Sequence, residues 1–261
     1  MMRSLYISKT GMDASQFKLD TVSNNLSNVN TTAFKRGIAV FQDLYYQTLR
    51  QPGSQLPSGS SVPIGLQVGT GAAGVATSTD MSQGSLTSSN QPYDMAINGD
   101  GFFQVQMPDG STAYTRDGSF HRNANGDLVT ASGYNLNPNI NIPATATNMT
   151  VSAQGLVQYS LVNNPTPQTA GTLQLATFIN PQGMLKLGGN LYQETAASGT
   201  PQVGDPGTDD RGPLKQGFLE SSNVNVTQEL VDMITAQRSF EMNSKAITAA
   251  DQMLQNLTQV A

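Results

Sequence analysis

Apolar residues recur every seven positions at both ends of this chain and every second position in its middle, and the two periods predict different structures. Near the start, Leu5, Met12, Leu19 and Leu26 form a seven-residue ladder, with Val22 and Val29 each three residues behind a rung. This narrow stripe is the pattern of a coiled-coil seam, weakened where Ser8 and Ser15 take the matching positions. The helix is expected to end near Asn28–Thr32, where amide and β-branched side chains compete with the helical backbone. At the other end Val226, Met233, Phe240, Ile247, Leu254 and Ala261 repeat the seven-residue spacing, widened by Leu230, Ile234 and Leu257. Asn225 followed by Gln228 reads as an N-terminal capping box, Glu229 suits the positive end of the helix, and Glu241 with Lys245 forms an i,i+4 pair.

The middle is punctuated by Asn98-Gly99, Asp100-Gly101, Asp109-Gly110, Asp117-Gly118 and Asn125-Gly126, dipeptides that accept positive φ in tight turns. Between them residues alternate: Tyr93, Met95, Ile97; Phe103, Val105, Met107; Thr112, Tyr114, Arg116. Further short strands fit 128–130, 134–136, 149–151, 156–159 and 173–178, and such spacing predicts an antiparallel β domain. Gln51–Gly74 and Thr195–Gly212 are rich in Gly, Pro and Ser and read as extended or looped. The expected fold is therefore α+β. Residues 1–34 and 222–261 form a helical, coiled-coil-like domain, 35–92 an extended linker, 93–195 the central β domain and 196–221 a return linker. Narrow seams favour helix-to-helix packing over docking of each helix on the β domain, because a docking face is normally wider. Both remain open.

Composition changes the picture mainly by exclusion. No run of apolar residues reaches membrane-spanning length, so no membrane insertion is expected. A net charge of −5, with 13 scattered Lys and Arg, gives no footprint for nucleic acid and reads as solvated surface. Cysteine is absent, which removes disulfides, thiol catalysis and cysteine metal sites. Met1–Lys9 lacks the apolar core of a secretory signal, so export would need another route.

A search for catalytic chemistry returns almost nothing. His121 is the single histidine, and no G-x-S-x-G elbow accompanies it. Gly99–Gln104 begins like a dinucleotide loop but lacks the third glycine and a following helix. Asn123, Asn125 and Asp127 have the alternate spacing of a calcium loop without its terminal Glu. Asp209-Asp210 lie adjacent in a loop and cannot be held as an acid/base pair. No catalytic residue, cofactor or metal is assigned.

Several long motifs, in order, carry a resemblance. Asn24-Asn25-Leu26-Ser27-Asn28-Val29-Asn30-Thr31-Thr32-Ala33-Phe34-Lys35 is similar to the signature of flagellar rod and hook proteins. Gly217–Val224 and Ala236-Gln237-Arg238-Ser239-Phe240-Glu241-Met242-Asn243 resemble that family's C-terminal motifs. Ile97–Phe103 and Tyr114–Gly118 match its middle. The segment Tyr45–Gly71, including Gln47, Leu49, Gln51, Pro52 and Gly53, looks like an insertion of the family's distal-rod branch. Proximal rod members lack that stretch, and hook members are usually longer. Ala33 departs from the Gly often found there, which argues against positive φ at that position; Met242 and Ser244 replace smaller residues.

The resemblance implies a structural subunit without enzymatic activity. Its terminal helices would order on incorporation into a helical tube. The implied assembly residues are Leu5, Met12, Leu19, Val22, Leu26, Val29, Val226, Leu230, Met233, Phe240, Ile247 and Leu254. The motif residues carried over are Asn24, Asn25, Asn28, Thr31, Thr32, Phe34, Lys35, Gln237, Arg238 and Phe240. The implied partners are further copies of the chain, proximal rod proteins, hook protein, the P- and L-ring proteins and the flagellar type III export apparatus. The implied location is a rod crossing the periplasm, reached without a cleaved signal. A peptidoglycan-active enzyme would need a positioned acid that no motif supplies. A surface adhesin would suit the composition but leaves heptads at both ends unexplained.

Overall fold

The computed structural model describes residues 2–53, 64–161 and 164–260. The Ala261 rung, the side chain of Leu257 and residues 54–63 of the inserted segment lie outside the described residues. Helix α1 (Met2–Ser27) is followed by strands β1 (Gly37–Asp43), β2 (Tyr46–Arg50), β3 (Leu66–Gly69), β4 (Ala72–Thr79) and β5 (Leu86–Ser88). Next come β6 (Met95–Ile97), β7 (Phe102–Gln106), β8 (Thr112–Thr115), β9 (Phe120–Arg122), β10 (Leu128–Thr130) and β11 (Asn135–Asn137). They are followed by β12 (Ala146–Val151), β13 (Leu156–Leu161), β14 (Asn164–Thr172), β15 (Leu175–Thr177), β16 (Leu185–Gly188) and β17 (Leu191–Gln193). Strands β18 (Gln202–Gly204), β19 (Leu214–Gln216) and β20 (Phe218–Glu220) lead into helix α2 (Val226–Val260). The fold is α+β, with a helix at each end and antiparallel pairing through the middle.

Two compact units emerge. One comprises 1–27, 37–78 and 225–261; the other comprises 28–36 and 79–224. In the first, α1 and α2 run antiparallel: Gly11 lies against Asn243, Lys18 pairs with Asp232 at 3.2 Å, and Asn25 bonds Glu229. That register leaves roughly the last two turns of α2 with no α1 residue opposite. The most buried residues of α1 are Ser15, Val22 and Asn25, and α2 buries Glu229, Ala236 and Ala250. Small residues set the spacing, since a Cβ on Gly11 would sit 2.7 Å from Asn243 Nδ2. Ser15, which weakens the apolar ladder, is thus placed where the helices need little bulk, and it returns its hydroxyl to Gly11 O at 2.8 Å. Alongside, β1 pairs with β4, and Phe17 of α1 meets Phe41 edge-on at 6.0 Å.

The second unit is built on a sheet ordered β16-β17-β8-β7-β11-β10-β9, with β15 joining β7 to β18. One face buries Phe103, Val105, Leu128, Leu136 and Leu175, with Phe103 and Phe120 edge-to-face at 5.1 Å. The three-stranded sheet β12-β13-β14 adds Met149 and Val157 to that core. The opposite face buries a smaller cluster of Phe102, Tyr114, Ala176, Met184 and Tyr192. The turn dipeptides behave as their chemistry demands, with positive φ at Gly99, Gly101, Gly110 and Gly126. Gly118 is an exception to that expectation. It does not have positive φ; a Cβ there would lie 1.5 Å from Met95 O, so close backbone approach is what requires glycine.

Two further expectations are corrected. Ala33 does adopt positive φ (56°), held there by its N–H donating to Glu220 O at 2.7 Å. Nor are the charges uniformly solvated: Lys35, Arg116, Arg211, Glu220 and Glu229 are all buried. Charge counts cannot see this, because Lys35, Arg116, Glu220 and Glu229 find their partners far away in sequence, and only Arg211 pairs locally, with Asp209.

Candidate assembly interface

The helix α2 begins as its sequence requires. Asn225 Oδ1 accepts from the N–H groups of Thr227 (3.1 Å) and Gln228 (3.3 Å), satisfying two of the orphan donors of the first turn. The Gln228 side chain turns instead to Asp232 at 3.3 Å. Along the helix, Met233, Ile247 and Leu254 are half-buried, whereas Val226, Leu230, Val231, Ile234 and Phe240 are exposed. Leu230 and Ile234 show 44% and 49% of their surface to solvent, on a flank beside the seam facing α1. On α1, Leu5, Met12, Leu19 and Leu26 are half-buried and Val22 is buried; Val29, beyond the end of α1, is half-buried in the other unit. The ladder is thus half-buried at some rungs and exposed at others.

A second apolar surface lies in the same unit. Strands β2 and β3 form an isolated pair, in which Thr48 faces Gln67 and Gln47 faces Val68. All of β2 is exposed, and Tyr45 beside it shows 84% of its surface. Gln47 accepts from Arg3 Nη2 at 2.7 Å; Leu49, Gln51, Pro52 and Gly53 are exposed. A two-stranded ribbon carrying Tyr45, Leu49, Ile64 and Leu66 in water is a poor end state for an isolated chain.

Two polar nodes complete the geometry, one in each unit. In the helical unit Asn25 Nδ2 donates to Gly37 O (2.8 Å) and Glu229 Oε2 (3.1 Å), while its Oδ1 accepts from Gly37 N (2.8 Å). In the β unit Lys35 Nζ donates to Glu220 Oε1 (2.6 Å) and to Ser82 O (2.8 Å). The same carboxylate oxygen accepts from Gly84 N at 2.9 Å, and Arg116 Nη1 stands 3.7 Å from Oε2. Burial pulls the Lys35 amine below its ordinary range, against the opposing pull of Glu220. Burial likewise lowers Arg116, again opposed first by Glu220. Asn223 finishes this node: its Oδ1 accepts from Arg36 N (2.8 Å), and its Nδ2 donates to Asp80 O (2.9 Å) and Ser82 O (3.1 Å).

Comparison with known proteins decides what these surfaces belong to. Residues 5–35 match the model for flagella basal body rod proteins. Residues 96–159 match the flagellar hook protein FlgE/F/G D1 domain, and 215–260 the flagellar basal body rod FlgEFG C-terminal domain. The chain is 52% identical to the flagellar basal-body rod protein FlgG of Buchnera aphidicola subsp. Schizaphis graminum, over the full length of both. The chain belongs to the flagellar basal-body rod protein family. Members named FlgG from Caulobacter vibrioides and Bacillus subtilis are 46% and 41% identical, across 99% and 98% of each chain. This rod protein is a structural subunit of the distal rod, not an enzyme.

The rod protein's signature residues now have places. Asn25 and Lys35 are the centres of the two nodes. Asn28 Oδ1 accepts from Thr31 Oγ1, and Thr32 O accepts from Asn190. Phe34 lies beneath Lys186 Nζ at 5.9 Å from its ring centre. Asn24, Gln237 and Arg238 are exposed, as Phe240 is. Glu220, Glu229 and Asn223 were missed by sequence reasoning. Glu220 and Asn223 lie within the C-terminal motif 217–224, and that was the only signal pointing to them. The calcium-like loop is internally occupied: Asn123 Oδ1 accepts from Asn125 N and Asp127 N, and Asp127 accepts from Asn139 and Asn141. His121 sits exposed on β9, opposite Val129.

Proposed function

We propose that this subunit polymerises through its paired terminal helices into a helical tube, packing them in coiled-coil fashion. In this reading the tube links proximal rod proteins to hook protein, runs through the periplasm inside the P- and L-rings, and carries torque. It also encloses the path of substrates from the type III export apparatus, by which the chain itself is exported. The observation that carries the reading is the outward flank of α2, where Val226, Leu230, Ile234 and Phe240 lie exposed beside a helix seam. Each such side chain removed from water contributes roughly 1.5–3 kcal/mol before ordering costs, so several per subunit suffice for a stable polymer. Contacts between unlike surfaces generate open helices rather than closed rings. The residues assigned to it are Leu5, Met12, Leu19, Val22 and Leu26 on α1, Val29 just beyond its end, and Val226, Leu230, Met233, Phe240, Ile247 and Leu254 on α2. The ribbon bearing Gln47, Leu49, Gln51, Pro52 and Gly53 would contact neighbouring subunits and make the rod straight and stiff.

Electron microscopy of basal bodies from cells lacking the chain tests the assembly role. Truncated rods without hooks are expected; intact rods and hooks would refute it. Cells carrying a deletion of Gln47–Pro63 should build a more flexible rod, and an unchanged persistence length would remove the stiffening role.

A further inference from the structure

The chain crosses between its two units four times, at 27/28, 36/37, 78/79 and 224/225. Left as separate tethers, four such crossings would strain one at a time, because each has its own length and its own soft dihedrals. The hydrogen bonds beside them show a different arrangement. On the helical side, Asn25 grips both polar atoms of the Gly37 backbone and reaches Glu229, so residues next to three of the crossings meet at one side chain. Glu229 in turn donates its own N–H to Asn225 O, which carries the tie to the residue at the 224/225 crossing itself, while 78/79 is tied on the β side. A Cβ on Gly37 would lie 3.5 Å from Asn25 Oδ1, so the strand starts in van der Waals contact with the amide that holds it.

On the β side, the three segments 33–36, 80–84 and 220–223 converge on Glu220 and Asn223. Ala33 N donates to Glu220 O, Asp80 N to Arg36 O, and Asn223 N to Phe34 O. The side-chain carboxylate of Glu220 holds Lys35 and Gly84, and the Asn223 amide holds Arg36, Asp80 and Ser82. Each of these two residues therefore bonds both other segments at once. Amide and carboxylate groups suit that task, since one side chain offers two atoms with several bonding directions. Burial keeps water from competing for the Glu220 carboxylate, and Asn223 is half-buried beside it.

We propose that Asn25 in one unit and Glu220 with Asn223 in the other are ties that make the four crossings share load, so that torque reaches all of them together. This rests on the rod reading, since only a subunit under load needs such ties. The established role asks only that the chain fold and assemble; the inference assigns named side chains to the transmission of force inside each subunit.

The test uses full-length chains carrying Asn25→Ala, Asn223→Ala, or both. Hydrogen exchange read by mass spectrometry should show at least tenfold faster exchange over 33–36, 80–85 and 221–223 together in Asn223→Ala, with β7 and β8 unchanged. Asn25→Ala should do the same for Gly37 and the first turn of α2. Acceleration confined to the substituted segment would overturn the inference, because the crossings would then be independent. Acceleration that spreads to β7 would overturn it too, since the residue would merely stabilise the domain. This measurement decides even where a variant builds no rods. In cells, the double variant is expected to assemble complete hooks yet lose at least twice the swimming speed that wild type loses as viscosity rises. Complete hooks with an unaltered viscosity profile would overturn load sharing and leave the rod reading intact. Complete hooks in cells with no chain at all would instead overturn the rod reading.

Discussion

The two units spend their apolar residues in opposite ways. The β unit hides Phe103, Phe120, Leu128, Leu136 and Leu175 completely and pairs its strands on both sides of a shared sheet. The helical unit buries mostly small or polar side chains, Ser15, Asn25, Ala236 and Ala250 among them, and leaves Leu49, Leu230, Val231 and Ile234 in water. A unit of the first kind is complete as a single chain. One of the second kind leaves apolar surface open, which is the surface the proposed assembly would cover.

That contrast can be broken most sharply by a matched pair of truncations. Phe103→Ala should cost the isolated chain about 3–5 kcal/mol, read by denaturant unfolding of the β signal. Leu230→Ala should change the isolated chain by less than about 0.5 kcal/mol yet impair rod assembly. Equal costs for the two would mean that the exposed flank is already serving the monomer. Alkaline titration gives the next effect. Burial, and for Tyr114 also Glu194, pushes the phenols of Tyr114 and Tyr192 up to about 12. The folded state then holds protons that the unfolded state releases above pH 10, so stability falls as pH rises. The loss should reach roughly 2 kcal/mol per tyrosine by pH 12, with the β unit melting first. Replacing Tyr192 by Phe should remove its share; an unchanged profile would show that the phenol titrates normally. Smallest is Asn225→Ala, which removes the cap of α2 and should cost about 1 kcal/mol of helix stability, seen as a lower far-ultraviolet dichroism midpoint.

The same contrast explains what could be read from sequence. Turn dipeptides and alternating residues located β6, β7, β8, β10 and β11, though not β9, because local chemistry decides them: Gly99, Gly110 and Gly126 must have positive φ, and Phe103 and Val105 must face a core. The seven-residue ladders located both helices. They did not show which positions would lie between the helices, because that depends on close approach, and close approach is a matter of Gly11, Ser15 and Ala236 rather than of Leu. The polar nodes were invisible for a related reason. Lys35 and Glu220 are far apart in the chain, and nothing in either neighbourhood announces a buried charge. Only the motifs around 24–35 and 217–224 marked those places, without saying what the residues do there.

One feature of the helix pair sets a direction. Because α2 outruns α1 by roughly two turns, the bundle has one blunt end and one projecting end, with Met253 bare on the projection. Like a length of cable with a plug at one end and a socket at the other, such a body has no way to meet a copy of itself plug to plug with the same fit. In the proposed assembly, growth by this end would be polar by construction: each added subunit would present the end the next one needs, and a chain of them would carry an arrow.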